Sequence, residues 1–343
     1  MLGYSLYPTD SESVFNAVVA QAKANELTCF FVSLHMPEAK DLLVFLTKIK
    51  QLHEQYNWSF FADISPRTLE LLTLDIAGLR LLKESGVKGL RLDFGFSTAD
   101  VVQIAQLGFA VAMNASTISA REIEGLQNVP FIGWHNYYPR PETGLSAAYF
   151  AQQNKLLTTY GKTVYSFIPG DKVLRAPLGL GLPTLEIQRG RNAYINYLEQ
   201  RLIYRIDHVF VAEGTLSAAD IAAIKLFENE QIITIPCAYI DERYAPTLLG
   251  KNWRVRVEET DYSWRLLDTR GLIEVTEEQS EHNRRQGAIQ VDTQGYGRYA
   301  GEIHLLKQNL PANRRTEEIG CVEQEYLALL AWLSGSPTIQ FRL

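Results

Sequence analysis

The 343-residue chain exceeds what one hydrophobic core usually organises, so a large domain joined to a smaller one is expected. Its composition, 46% hydrophobic and 21% charged, is that of an ordinary globular protein, and a net charge of −6 without an aromatic-basic stripe argues against nucleic acid as the main partner. Three widely separated cysteines, Cys29, Cys237 and Cys321, give neither a disulfide framework nor a zinc spacing.

The opening MLGYSLYPTD lacks the basic and apolar regions of a signal peptide, and no later segment approaches a membrane span. A cytoplasmic protein with no membrane partner, acting alone or as a homo-oligomer, is the expectation. From there one rhythm runs along the chain. Apolar runs rich in β-branched and aromatic residues occur at LGYSLYP, CFFVSLH, SFFADIS, GLRLDFG, AVAMNAS, FIGWHNY, TVYSFIPG and HVFVAEG, each followed by a polar turn and an amphipathic segment. After the first run, Val14, Val18, Val19 and Ala22 share one helix face, and Asp10 or Ser11 is placed to cap that helix. After the second, Leu42, Phe45, Leu46, Ile49 and Leu52 do the same.

Near-continuous apolar strands alternating with helices describe a parallel sheet covered by helices. Eight such units fit an α/β fold of the (β/α)₈ barrel type; an open doubly wound sheet is the alternative, weakened by YSLYPTDS standing where a GxGxxG turn would be. The rhythm stops after Pro236. From Trp253 the pattern changes to short alternating runs, WRVRVEET, GLIEV, GAIQVD, GEIHLL and IQFRL, which read as a small β-rich domain. The expected division is a barrel over 1–237 and a β-rich domain over 238–343.

In a (β/α)₈ barrel the site forms at the carboxyl ends of the strands. The polar residues there are Tyr4, Ser5 and Tyr7; Ser33 and His35; Asp63 and Ser65; Arg91 and Asp93; Asn114, Ser116 and Thr117; His135, Asn136, Tyr138, Arg140 and Glu142; Arg175; and Glu213. No strand carries a lysine at its end, which argues against imine chemistry. The histidines are solitary rather than HxH, so no metal and no cofactor is expected, a site of His35, Asp63, Asp93 and His135 being the metal alternative. Carboxylates, amides and arginines around one cavity are what glycoside hydrolysis requires.

Plainer roles compete. Asp63 suits a helix cap, Asp93 a pair with Arg91 on its own strand face, Glu142 a solvated loop, His135 a satisfied core position, and Arg175 a brace for its long loop. The pair proposed from sequence is Asp93 with Glu142 or Asp63, and Asn114 and His135 orient the sugar. In GWHNYYPRPETGLS, His135 is expected on the cavity face, Trp134 on the opposite face, and Ser146 as the cap of the next helix.

The runs LGYSLYP, FADISP, GLRLDFGF, NAST, HNYYPRPETGLS, FIPG with PLGLGLPTLE, and GYGRYAGEIH resemble the 6-phospho-N-acetylmuramidase family, in the same order along nearly the whole chain. The resemblance implies a TIM barrel joined to a cyclophilin-like β domain. It also implies hydrolysis of N-acetylmuramic acid 6-phosphate–N-acetylglucosamine in the cytoplasm during cell-wall recycling. Such an anionic substrate needs focused positive charge, for which Arg140, Arg175 and Arg298 are the expected guanidinium groups. Arg298 belongs to the second domain, which is expected to close over the barrel mouth. The rival readings are a sugar-phosphate isomerase or epimerase and a non-catalytic sugar-phosphate binding protein.

Overall fold

The structure, a computed structural model, describes residues 1–36, 41–280 and 283–343. The chain divides into two units, Met1–Ile221 and Ala222–Leu343. The first unit is a closed barrel of eight parallel strands in sequential order. They are β1 (Leu2–Leu6), β2 (Cys29–Ser33), β3 (Ser59–Ile64), β4 (Val87–Leu92), β5 (Ala110–Asn114), β6 (Phe131–Trp134), β7 (Val164–Ile168) and β8 (His208–Val211). Each of the eight apolar runs becomes one strand. Closure comes from β1 pairing with both β2 and β8, which leaves no free edge.

The outer helices form where polar turns supply caps. Ser11 Oγ accepts the Val14 N–H at the start of α1 (Glu12–Ala24), which buries Phe15, Val18 and Ala22. Asp41 does the same for α2 (Leu42–Tyr56), where Leu42, Phe45, Ile49 and Leu52 are buried, each contributing about 1.5–3 kcal/mol. Ser65, rather than Asp63, starts α3 (Pro66–Leu72), in a capping box with Thr68. Further round the barrel lie α4 (Thr98–Gln106), α5 (Ala120–Gly125), α6 (Ala147–Thr159) and α7 (Ala193–Leu202), and α8 (Ala218–Glu230) runs from the first unit into the second. Ser146 caps α6 by accepting the Tyr149 N–H at 3.3 Å.

Aromatic rings fill the barrel interior. Trp134 stacks on Phe167 with centroids 5.7 Å apart and packs against Phe210 at 4.4 Å, while Phe31 meets Phe167 edge-on at 5.0 Å. Two strand glycines make room for such rings. A Cβ on Gly3 would lie 2.4 Å from Phe210, and one on Gly89 2.2 Å from Phe61.

The second unit is a mixed seven-stranded sheet. Its strands are β9 (Ile232–Ile240), β10 (Asn252–Arg254), β11 (Ser263–Arg265), β12 (Ala288–Asp292), β13 (Ile303–Leu306), β14 (Thr316–Val322) and β15 (Thr338–Arg342), in spatial order β10-β15-β9-β14-β12-β13-β11. Two strands escaped the alternation pattern. β9 is buried along most of its length and so reads as a continuous apolar run, and β14 carries Glu317 and Glu318, whose charges are met by Arg243 and Arg285. The run GLIEV forms no strand.

Candidate active site

Alternation along the strands decides which side chains meet at the carboxyl end of the barrel. Phe31 and His35 follow one face of β2, Asp63 ends the inward row of β3, and Arg91 and Asp93 share a face on and just beyond β4. With Asn136, Tyr137 and Phe167 they line a cavity of about 170 Å³. Arg91 is buried and ties this site together. Its Nη1 donates to Asp63 Oδ1 at 2.6 Å, its Nη2 donates to Asn136 Oδ1, and its Nε donates to the Trp134 carbonyl at 3.4 Å.

His35 Nε2 lies 3.7 Å from Asp63 Oδ2 and 3.5 Å from Asp93 Oδ2, so one imidazole nitrogen faces both carboxylates. Burial pushes the Asp63 carboxyl above its usual range, Arg91 and His35 oppose that shift, and the Asp93 charge adds to it. Arg91 therefore pairs with Asp63 across two strands, whereas Asp93 faces His35. His135 stands apart from this group. Among the described residues no set of three or more His, Cys, Asp or Glu side chains is arranged to hold a metal ion.

The β6 segment has its faces the other way round from the sequence expectation. Trp134 points into the barrel core, and His135 points outward, its ring 4.5 Å from that of Phe150 on α6. The reason lies in the register. A Cβ on Gly133 would meet Leu157 of α6 at 2.6 Å, so Gly133 and His135 share the helix-facing side, and Trp134 and Asn136 share the inward side. His135 is wholly buried, with Nε2 2.8 Å from Asn154 Oδ1 and Nδ1 3.1 Å from Ser116 Oγ, and burial lowers its pKa to about 4. It reaches the cavity indirectly, because Ser116 Oγ accepts the Asn136 N–H at 3.0 Å.

Other expected site residues of the barrel do not line this cavity. Tyr4 is buried against α1, its hydroxyl donating to Gln21 Oε1, and Ser5 is buried in the barrel. Asn114 Oδ1 accepts the Ser116 N–H at 3.0 Å and so shapes its own turn. Tyr138 is half-buried, with its N–H donating to the Pro183 carbonyl. Glu142 is exposed at φ +68°, held through its N–H by Glu186 Oε1 at 2.9 Å, and does not line the cavity. Arg140 is exposed on the same loop. Arg298, in the second unit, is exposed beside Tyr299 and donates to its hydroxyl at 2.6 Å. Tyr137, absent from the sequence list, lines the cavity; its only signal was the aromatic pair in HNYYP.

Arg175 lies over the Tyr7 ring at 4.1 Å and donates to the Tyr137 hydroxyl at 3.3 Å. It also lines a second cavity of about 500 Å³, with Asp10, Val14, Met36, Leu174 and Pro177 among the walls. The loop carrying it is fixed at its root, where Lys172 and Thr215 form an antiparallel bridge. Glu213, buried just past β8, accepts the Arg175 N–H at 2.6 Å and the Leu182 N–H as well. Burial raises the Glu213 pKa to about 7 and that of Asp10 to about 6, the backbone N–H bonds they accept opposing the shift.

Residues 2–226 match the family described as 6-phospho-N-acetylmuramidase, N-terminal, and residues 233–343 match 6-phospho-N-acetylmuramidase, C-terminal. No curated protein matches the chain. A solved structure of a conserved Enterococcus faecalis protein of unknown function is similar over 100% of this chain and 96% of its own, at 26% identity and a TM-score of 0.85. An uncharacterised B. cereus protein, 21% identical, shares the fold with a TM-score of 0.81 over 100% of this chain and 99% of its own. With both parts of the chain matched in order, this protein belongs to the 6-phospho-N-acetylmuramidase family.

Proposed function

We propose that this protein is a glycosidase that hydrolyses N-acetylmuramic acid 6-phosphate–N-acetylglucosamine, and that it serves cell-wall recycling in the cytoplasm. The family match supports the substrate class. The observation that carries the chemistry is the pair of carboxylates, Asp63 and Asp93, facing one His35 nitrogen at the carboxyl end of the barrel. Lying 3.7 Å and 3.5 Å from that one nitrogen, their Oδ2 atoms are no more than about 7 Å apart, close enough for both to reach one glycosidic bond. No helix among the described residues is long and apolar enough to cross a membrane.

Asp63 is assigned the proton to be given to the leaving oxygen, because burial holds its carboxyl above the ordinary range. Asp93, the more exposed of the two, is assigned the second role, attack on the anomeric carbon or activation of water. His35 Nε2 stands between the two carboxylates and holds them in position, and Arg91 fixes Asp63 and Asn136 in place. Glu142 is left with a loop role. Arg140, exposed on the β6 loop, is assigned to the anionic groups of the substrate.

The test is to incubate the purified protein with the disaccharide, with and without its phosphate, and to follow products by mass. Release of both monosaccharides from the phosphorylated form alone is expected. An isomerised but intact disaccharide, or tight binding without turnover, would overturn the assignment.

A further inference from the structure

The catalytic cavity is too small for two amino sugars. At about 170 Å³ it falls below the roughly 300–1,000 Å³ of small-ligand pockets, whereas the neighbouring cavity, at about 500 Å³, lies within that range. The two are neighbours: Arg175, which lines the larger one, donates to the hydroxyl of Tyr137, which lines the smaller.

The larger cavity has the surface an uncharged sugar prefers. Val14, Met36, Leu174 and Pro177 offer apolar contacts to a pyranose face, and Ser11 and Asp10 lie beside them as polar partners. It offers little to a phosphate. Among the described residues the one cation lining it, Arg175, is spread over the Tyr7 ring, Tyr137 and the Met36 sulfur, and Asp10 contributes a nearby carboxylate. One wall is a built structure rather than a loose loop, since Glu213 accepts the Arg175 and Leu182 N–H groups from below. At the loop's root, a Cβ on Gly214 would lie 2.1 Å from the Lys172 carbonyl.

Resting on the hydrolytic reading above, we propose that this second cavity is the leaving-group subsite, which receives the neutral N-acetylhexosamine of the disaccharide. Arg175 then separates the two sugars, and the anionic sugar stays on the Asp63–Asp93 side. The loop after β7 thereby becomes the element that selects what is attached to the phosphorylated sugar.

Leu174→Trp and Val14→Trp would narrow this cavity without touching Asp63, Asp93 or His35; Leu174 is 38% exposed, so its replacement tests the idea even if the Val14 variant fails to fold. The two variants and the parent protein would be assayed on the disaccharide and on 6-phospho-N-acetylmuramyl fluoride, whose leaving group needs no sugar subsite. The expected result is a ~tenfold or larger loss of kcat/KM on the disaccharide with turnover of the fluoride unchanged, corresponding to about 1.4 kcal/mol of lost transition-state binding. Equal losses on both substrates, or no loss on either, would overturn the subsite. If the parent protein hydrolyses the fluoride but not the disaccharide, the subsite fails and the hydrolytic reading stands. If it hydrolyses neither, that reading fails, and the subsite with it.

Discussion

His135 offers a sharp test, because its burial converts directly into a dependence of stability on pH. Its pKa is lowered from 6.5 to about 4, with burial as the main cause and the Asn154 hydrogen bond opposing it. The folded protein therefore binds this proton less readily than the unfolded chain. The stability contribution is fully present above pH 6.5 and is lost as pH falls toward 4. The whole shift corresponds to about 3 kcal/mol, of which about 2 kcal/mol is gone by pH 5. For a unit of this size, 2 kcal/mol corresponds to roughly 4–8 °C in Tm. The acids with raised pKa, Asp63, Asp10, Asp220 and Glu213, act in the opposite sense, losing stability as pH rises, so the comparison must be with a variant. His135→Gln keeps a donor for Asn154 and removes the titration. Thermal unfolding from pH 7.5 to 5 should show the parent protein losing roughly 4–8 °C more than the variant. Parallel pH profiles would refute the view that His135 is a neutral, structural imidazole.

Two further outcomes follow from the site. Asp93→Asn should lower kcat by about 10²–10⁴-fold with Tm unchanged, while Glu142→Gln, altering an exposed loop acid, should stay within about twofold of the parent; comparable losses in both would return Glu142 to the mechanism. Arg91→Leu leaves the buried Asp63 carboxyl without its partner and should cost about 1–3 kcal/mol in urea unfolding, most of it regained in the Asp63→Leu/Arg91→Leu double variant, which should remain inactive. A stable, active Arg91→Leu protein would remove Arg91 as the organiser of the site.

The barrel was legible because its signal is local and repeated: eight apolar runs, each followed by a polar turn, with Ser11 and Ser146 placed where helices begin. The shared face of Arg91 and Asp93 followed from period-two alternation alone. Alternation does not say which face is inward, however, and β6 shows the cost of choosing from polarity. His135 looked like a site residue because it is polar, but the barrel interior needed the volume of Trp134, and the imidazole was satisfied by Asn154 and Ser116 instead.

What the sequence by itself determined is the set of side chains at the strand ends and the alternating order that makes a closed parallel barrel, since both depend on neighbours within a few residues. Which of those side chains meet was decided only by the tertiary structure. The Asp63–Arg91 and Asp93–His35 encounters, and the hold of Glu213 on the loop of Arg175, join residues 28, 58 and 38 positions apart. No local period encodes such encounters. They are set by strand register and barrel closure, which bring distant strand ends to the same rim and bury their charges together.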